Sequence, residues 1–261
     1  MGDGTLEGQS TVFSQKESVL MEPKQYHIHC RTGDVGRYVL MPGDPGRVPQ
    51  IAQYLDNAKE VAHNREYRTF TGLIDGVPVS VCSTGIGCPS TAIAIEELVR
   101  CGADTFIRVG TSGRMQPHMN VGDLVVATAA IRDEGTSQQY LPLAFPAVAD
   151  PTVVQALMGA CRQEGAAFHT GIVQSKDSFY GEVETERMPM AEQLQARWRA
   201  WVAGGALCSE MEAATLFIVA SVLRKRAGAL MLAEAHDGMD RLCRVAVNGV
   251  RHLIETDQTK P

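Results

Sequence analysis

The stretch Thr105-Phe106-Ile107-Arg108-Val109-Gly110-Thr111-Ser112-Gly113 decides how this chain folds. A β-branched, apolar run broken only by Arg108 predicts a strand over Thr105 to Val109. The glycines after it predict a turn that carries a hydroxyl. A second stretch of the same kind lies upstream, where Tyr38-Val39-Leu40-Met41 runs into Pro42-Gly43-Asp44-Pro45-Gly46-Arg47. Glycine lets backbone N–H groups approach an anion closely, and arginine adds charge and a planar fork of donors. Two such loops at strand ends point to one anion held between them. Each loop alone also reads as an ordinary Pro/Gly turn, and so does Thr84-Gly85-Ile86-Gly87. Arg108 is harder to read that way, because a charge inside an apolar strand is expensive unless it is paired. It needs a carboxylate in the core or an anionic ligand.

Outward from this stretch, short apolar runs recur at Val39–Met41, Val79–Cys82, Leu124–Ala127 and His169–Val173. Helical patterns sit among them. Ser90 is placed to N-cap a helix through Ile93, Ile95, Leu98 and Val99 that stops at Gly102. Asp150-Pro151 opens a second, stopped by Gly165. A third, mostly apolar, runs from about Glu212 to Arg226 ahead of Gly228, and the last carries Met239, Leu242, Ala246, Val250 and Leu253 on one stripe. Strands alternating with helices predict an α/β fold: a single-domain α/β/α sandwich around a mixed, mostly parallel sheet. Residues 1–22 are polar and without periodicity, and read as a mobile tail ahead of one domain over 23–261.

The chain has 261 residues, 44% of them apolar, and a formal net charge of -6, enough apolar material for a full core and the wrong sign for nucleic acid. An arginine pocket for one phosphate is compatible with that balance. Seven cysteines without CxxC or Cys/His spacing read as small core residues in a reducing compartment. No leader and no run long enough to span a bilayer is visible, so the expectation is a cytoplasmic protein with no membrane partner.

Other residues are ambiguous alone. His27 and Arg65 read locally as solvated surface. Glu210-Met211-Glu212 opens the third helix, where acids suit a positive N-terminus, or where a carboxylate meets sugar hydroxyls. Phe179-Tyr180 and Arg187 lie in a polar stretch that is a loop or a lid over a planar ring.

Taken together, Pro42–Arg47, Cys82–Gly87, Arg108–Gly113 and Ser209–Ala214, in this order, resemble the nucleoside phosphorylase family of trimeric or hexameric type, and within it the members that cleave uridine. The resemblance spans Tyr26 to Ile254. It implies phosphorolysis of a nucleoside to free base and ribose 1-phosphate, with inorganic phosphate as co-substrate and no organic cofactor. It assigns phosphate to Gly43, Arg47, Arg108 and Thr111, joined by Arg65 from a neighbouring subunit. It assigns ribose to Met211, Glu212 and a neighbour's His27, and the base to Phe179 and Arg187. Catalysis falls to Arg108, Thr111, Glu212 and Arg187, the last at a uracil carbonyl. Glu66, Ile86 and Ser90 match positions that hold a structural cation at the dimer interface of some uridine-cleaving members. The implied assembly is a homodimer at least, and up to a hexamer. A purine-specific phosphorylase and a non-catalytic nucleoside-binding protein are the alternatives.

Two departures stand out. Where the uridine-cleaving members carry a uracil-reading glutamine, this chain has Glu182 or Glu184, so Gln193 or Gln195 is expected to replace it. At Ala233-Glu234 the family has extra residues that this sequence lacks, and purine members place a catalytic Asp there.

Overall fold

The computed structural model describes residues 22–234 and 237–259. The expected tail over residues 1–22 therefore lies, but for Glu22, outside the described residues. In chain order the strands are β1 (Tyr38–Met41), β2 (Asp56–Asn64), β3 (Tyr67–Ile74), β4 (Val77–Cys82), β5 (Thr105–Arg114), β6 (Leu124–Asp133), β7 (Ala147–Val148), β8 (Phe168–Lys176), β9 (Cys208–Glu210) and β10 (Arg226–Ala233). The helices are α1 (Val48–Ala52), α2 (Cys88–Arg100), α3 (Pro151–Gln163), α4 (Phe179–Val183), α5 (Ala191–Ala203), α6 (Ala213–Val222) and α7 (Met239–Gln258).

The sheet is mixed, and β5 is its axis. On one side β5 pairs in parallel with β1, which pairs in parallel with β4; β3 and β2 then extend the wing antiparallel. On the other side β5, β10, β6, β8 and β9 close a ring, with β5–β10, β6–β8 and β8–β9 parallel. One core packs α2 and α6 against the sheet, around Phe106, Leu98 and Phe217. A second packs α1, α3 and α7 on the opposite face, around Leu40, Val109 and Leu157. The α/β/α sandwich expected from the sequence is the observed architecture.

Three local expectations need correction. The strand through Arg108 does not end at Val109: β5 runs to Arg114, and Gly110 to Gly113 are strand residues paired with β10 and then β9. The β1 ladder stops at Arg108 and β9 begins only at Gly113, so neither strand pairs with residues 109–112 on that side. The glycine stretch is thus an open strand edge rather than a turn. Ser90 is not the cap of α2, which starts at Cys88 after Gly87; Pro89 sits in the first turn, where a missing N–H costs nothing. The third helix ends at Val222, turned by Arg224 at φ 56°, and Gly228 belongs to β10. A Cβ on Gly228 would stand 2.3 Å from Val153 Cγ1, so this glycine lets α3 approach the sheet.

The ends of β1, β10 and α7 are joined by a partly buried clamp. Arg226 donates through Nη1 and Nη2 to both oxygens of Asp257, at 2.9 and 2.6 Å, and the Tyr38 hydroxyl donates to Asp257 at 2.7 Å. Burial opposes the Asp257 charge, but these donors outweigh it and hold its pKa down at about 2. The folded carboxylate binds its proton more weakly than in the unfolded chain. The stabilisation is therefore present above the unfolded pKa and is lost as pH falls from about 4 toward about 2. We expect Asp257→Asn to lower stability by about 2 kcal/mol at pH 7 and to flatten the acid limb of the unfolding midpoint between those pH values. Denaturant melts of both proteins across pH 2–7 check this, and parallel acid limbs would refute it.

Candidate functional site

The site forms where β5 loses its β1 neighbour. Arg108 is 6% exposed and its guanidinium lies over the backbone of Gly110: a Cβ there would stand 2.9 Å from Cζ. Arg108 Nε donates to Glu210 Oε2 at 2.6 Å, and Nη2 pairs with Glu212 Oε2 at 2.5 Å. Of the two readings open for Arg108, the core carboxylate is therefore present. The arginine stands between two of them, with Nη1 left over.

Glu210 ends β9 and caps α6. Its oxygens accept the N–H groups of Glu212 at 2.8 Å and of Ala213 at 3.0 Å, and the hydroxyl of Ser175. Glu212 accepts the Gly87 N–H at 2.5 Å through its other oxygen, which ties the loop before α2 to the site. Burial pushes the Glu212 carboxyl up, Arg108 pulls it down and Glu210 pushes it up again; the net direction is upward. Lys176 is close enough to oppose that rise. Burial works against the charge on Arg108, yet Glu212 and Glu210 outweigh it and hold the guanidinium above its ordinary range.

The upstream loop arrives beside this pair. Thr84 N–H donates to Pro42 O at 2.9 Å, and a Cβ on Gly43 would lie 3.2 Å from Gly85 O, so the two glycine loops pack together. Asp44 caps the short turn Pro45–Arg47, and Arg47 Nη1 reaches Thr111 Oγ1 at 3.5 Å. Arg47 and Thr111 thus meet at the open edge of β5, three residues along the strand from Arg108, and Met211 sits between Glu210 and Glu212.

A cavity of ≈ 540 Å³ lies between the ends of β6 and β8 and the helices α4 and α5. Asp133, Gln174, Lys176, Glu182, Gln195, Arg197, Trp198 and Trp201 line it. Lys176, 6% exposed, donates to Ser209 Oγ at 2.6 Å and pairs with Glu182 at 2.9 Å. The sequence reading did not single out Lys176; the available signal was a lysine closing an apolar strand. Arg187 and Gln193 are exposed and do not line this cavity. Arg187 pairs with Glu184 and lies 5.6 Å from the Tyr180 ring. Phe179 is 51% exposed at the start of α4.

His27 and Arg65 belong to another patch. Glu97, buried, accepts the N–H groups of His27 and Ile28 and pairs with His27 Nδ1 at 2.6 Å. Arg65 is an exposed turn residue at φ 54°, its guanidinium 5.8 Å from the Tyr26 ring. Glu66 packs on Gly85 beside Ser90, and next to them Ile86 is 79% exposed. Glu66 and Ser90 offer a carboxylate and a hydroxyl, oxygen donors of the kind a hard cation takes. Among the described residues no group of three or more His, Cys, Asp or Glu side chains gathers. Among them, too, no helix is long and apolar enough to cross a membrane. The short segment after Ala233 leads through Glu234 into α7, with residues 235 and 236 outside the described set.

Comparison with known proteins agrees with this arrangement. The model of the Phosphorylase superfamily matches residues 37–247. The uridine phosphorylase of Treponema pallidum is 47% identical over 250 residues, covering 90% of this chain and 96% of that protein. The uridine phosphorylase of Thermococcus kodakarensis is 47% identical over 257 residues, covering 92% and 90%. The guanosine phosphorylase of Halorubrum lacusprofundi is 39% identical over 250 residues, covering 88% and 99%. With a family match running from the residue before β1 into the first half of α7, and with relatives 47% identical over about nine-tenths of the chain, this chain is an enzyme of the Phosphorylase superfamily.

Proposed function

We propose that this enzyme cleaves uridine with inorganic phosphate, giving uracil and ribose 1-phosphate in nucleoside salvage. The observation that carries the reading is that Arg47 reaches Thr111 on the open edge of β5, the same strand that carries Arg108 and its ion pair with Glu212. The likeness to two uridine phosphorylases at 47% identity supports uridine as the nucleoside. The co-substrate is phosphate, no organic cofactor takes part, and the enzyme acts in the cytoplasm.

Phosphate is held by the Gly43 N–H, Arg47, Thr111 Oγ1 and the Nη1 edge of Arg108. Breaking the glycosidic bond builds positive charge on the ribose and negative charge on the base. A phosphate fixed beneath the sugar stabilises the first and then attacks C1′ in the same geometry. Glu212 and Met211 hold the ribose, and the upward-shifted, buried Glu212 is a strong acceptor for its hydroxyls. Phe179 packs against the base, and Arg187, in the turn after α4, and Gln193, on α5, are its further partners. His27 and Arg65 serve the site of a second subunit. The exposed Tyr26 and Ile86, at 72% and 79%, flank them as an apolar surface that a second copy would cover. Glu66, Ser90 and the Ile86 carbonyl would hold a cation where two such copies meet.

Uracil release from uridine should require phosphate, which a spectrophotometric assay with and without phosphate decides; equal release without it would identify a hydrolase. Arg108→Ala should cost about 3–5 kcal/mol of stability, because it leaves two buried carboxylates facing each other. Gly110→Ala is the cleaner probe: its Cβ would displace the Arg108 guanidinium, and kcat/KM for phosphate should fall at least about tenfold. An unchanged phosphate dependence in Gly110→Ala would detach Arg108 from phosphate. Mixing impaired Arg65→Ala with impaired Gly110→Ala subunits should raise activity above that of either alone, since a mixed dimer has one site intact in both residues. Confirmed subunit exchange without recovery would count against shared sites.

A further inference from the structure

The cavity beside the anion site carries a donor–acceptor pair that neither phosphate nor ribose uses. Lys176 Nζ and Glu182 Oε2 are 2.9 Å apart, with side chains only 8% and 19% exposed. Lys176 gives a second N–H to Ser209 Oγ at 2.6 Å, so one of its three N–H donors remains. Glu182 Oε1 lies 3.5 Å from where a Cβ on Gly113 would stand. Gly113 pairs with Ser209 and follows Thr111 by two positions along β5, so the pair stands next to the anion edge. Trp198 and Trp201 line the cavity and supply flat apolar surface for a ring.

We propose that Lys176 and Glu182 read the –C(=O)–NH– edge of the nucleobase, so that the enzyme accepts bases bearing that lactam edge, uracil and the 6-oxopurines alike, and rejects cytosine and adenine. The inference rests on the phosphorylase reading above. Uracil presents O4 beside N3–H, and hypoxanthine and guanine present O6 beside N1–H. In each, a carbonyl meets the Lys176 donor while an N–H meets the Glu182 carboxylate. Cytosine and adenine reverse both positions, setting an amino group against the ammonium and a ring-nitrogen lone pair against the carboxylate. Two mismatched contacts in a desolvated site discriminate strongly. A cavity of ≈ 540 Å³ admits one ring or two. The base leaves as an anion with charge on that carbonyl, and an ammonium there stabilises it.

The test measures phosphate-dependent kcat/KM on uridine, cytidine, inosine and adenosine for the wild type, Lys176→Met and Glu182→Gln. The wild type should prefer uridine over cytidine and inosine over adenosine, each by about 100-fold or more. Glu182→Gln, whose amide can either accept or donate, should narrow the uridine-to-cytidine ratio by about 10–100-fold. Lys176→Met should lower uridine turnover by a similar factor. For both variants, an unchanged phosphate KM confirms a folded site. Wild-type cleavage of cytidine equal to uridine, rejection of inosine, or folded variants that keep the wild-type ratio would overturn the lactam assignment while leaving phosphorolysis intact. Base release that needs no phosphate would instead overturn the phosphorylase reading.

Discussion

Arg108, buried between Glu210 and Glu212, is the interaction on which the other parts of the site depend. Its three neighbours come from different parts of the fold: Glu210 from the end of β9, Glu212 from the start of α6, and Gly110 from β5 itself. An unpaired guanidinium at this depth would cost several kcal/mol, and so would either carboxylate alone. The cluster therefore holds the ring strands and α6 in one register. It also keeps an arginine charged and fixed where an anion can reach its remaining edge. The same ion pairs that make Arg108 tolerable in the core make it rigid, and rigidity is what a phosphate site needs.

The sheet supplies the opening. β1 pairs with β5 only to Arg108 because Pro42 follows Met41 and the chain turns into the Asp44-capped loop. β9 is three residues long and reaches β5 only at Gly113. Between them a stretch of strand edge is left without a neighbouring strand, and the loops carrying Gly43, Arg47 and Gly85 close over it. Alternation along β8 and β9 then separates two environments. Ser175 and Glu210 face the arginine, whereas Gln174, Lys176 and Ser209 form the polar network at the cavity. One strand pair thus faces Arg108 on one side and the cavity on the other.

Much of this was legible in the sequence, for physical reasons. Strand–glycine junctions and a charge inside an apolar run are local signals, so β1, the first part of β5 and the need of Arg108 for a partner could be anticipated. The Asp150-Pro151 cap and the Gly102 and Gly165 stops were read correctly because capping is short-range. The length of β5 was not, since whether Gly110–Gly113 is turn or strand depends on β10 and β9, which are distant in sequence. Gly228 misled for the same reason: it is a packing glycine against α3, and nothing local distinguishes it from a helix stop. Lys176 was invisible because its meaning lies in Glu182 and Ser209, which only the folded sheet brings to it.

Glu210 and Glu212 are two residues apart and both touch Arg108, yet their hydrogen bonds divide their roles. Glu210 is saturated: its oxygens take the Arg108 Nε–H, two helix N–H groups and the Ser175 hydroxyl, which leaves no room for a ligand. It is a structural carboxylate that orients the arginine and caps α6. Glu212 accepts one hydrogen bond, from Gly87, on one oxygen and faces Arg108 as an ion pair with the other, so each oxygen keeps a lone pair. Only Glu212 can accept from substrate hydroxyls without first losing a protein partner. Gly87, its other donor, adjoins the Gly85 loop that packs on Gly43, so a shift in either loop is felt at Glu212. The Gly43–Gly85 contact and the Gly87–Glu212 hydrogen bond therefore link both glycine loops to the carboxylate beside Arg108.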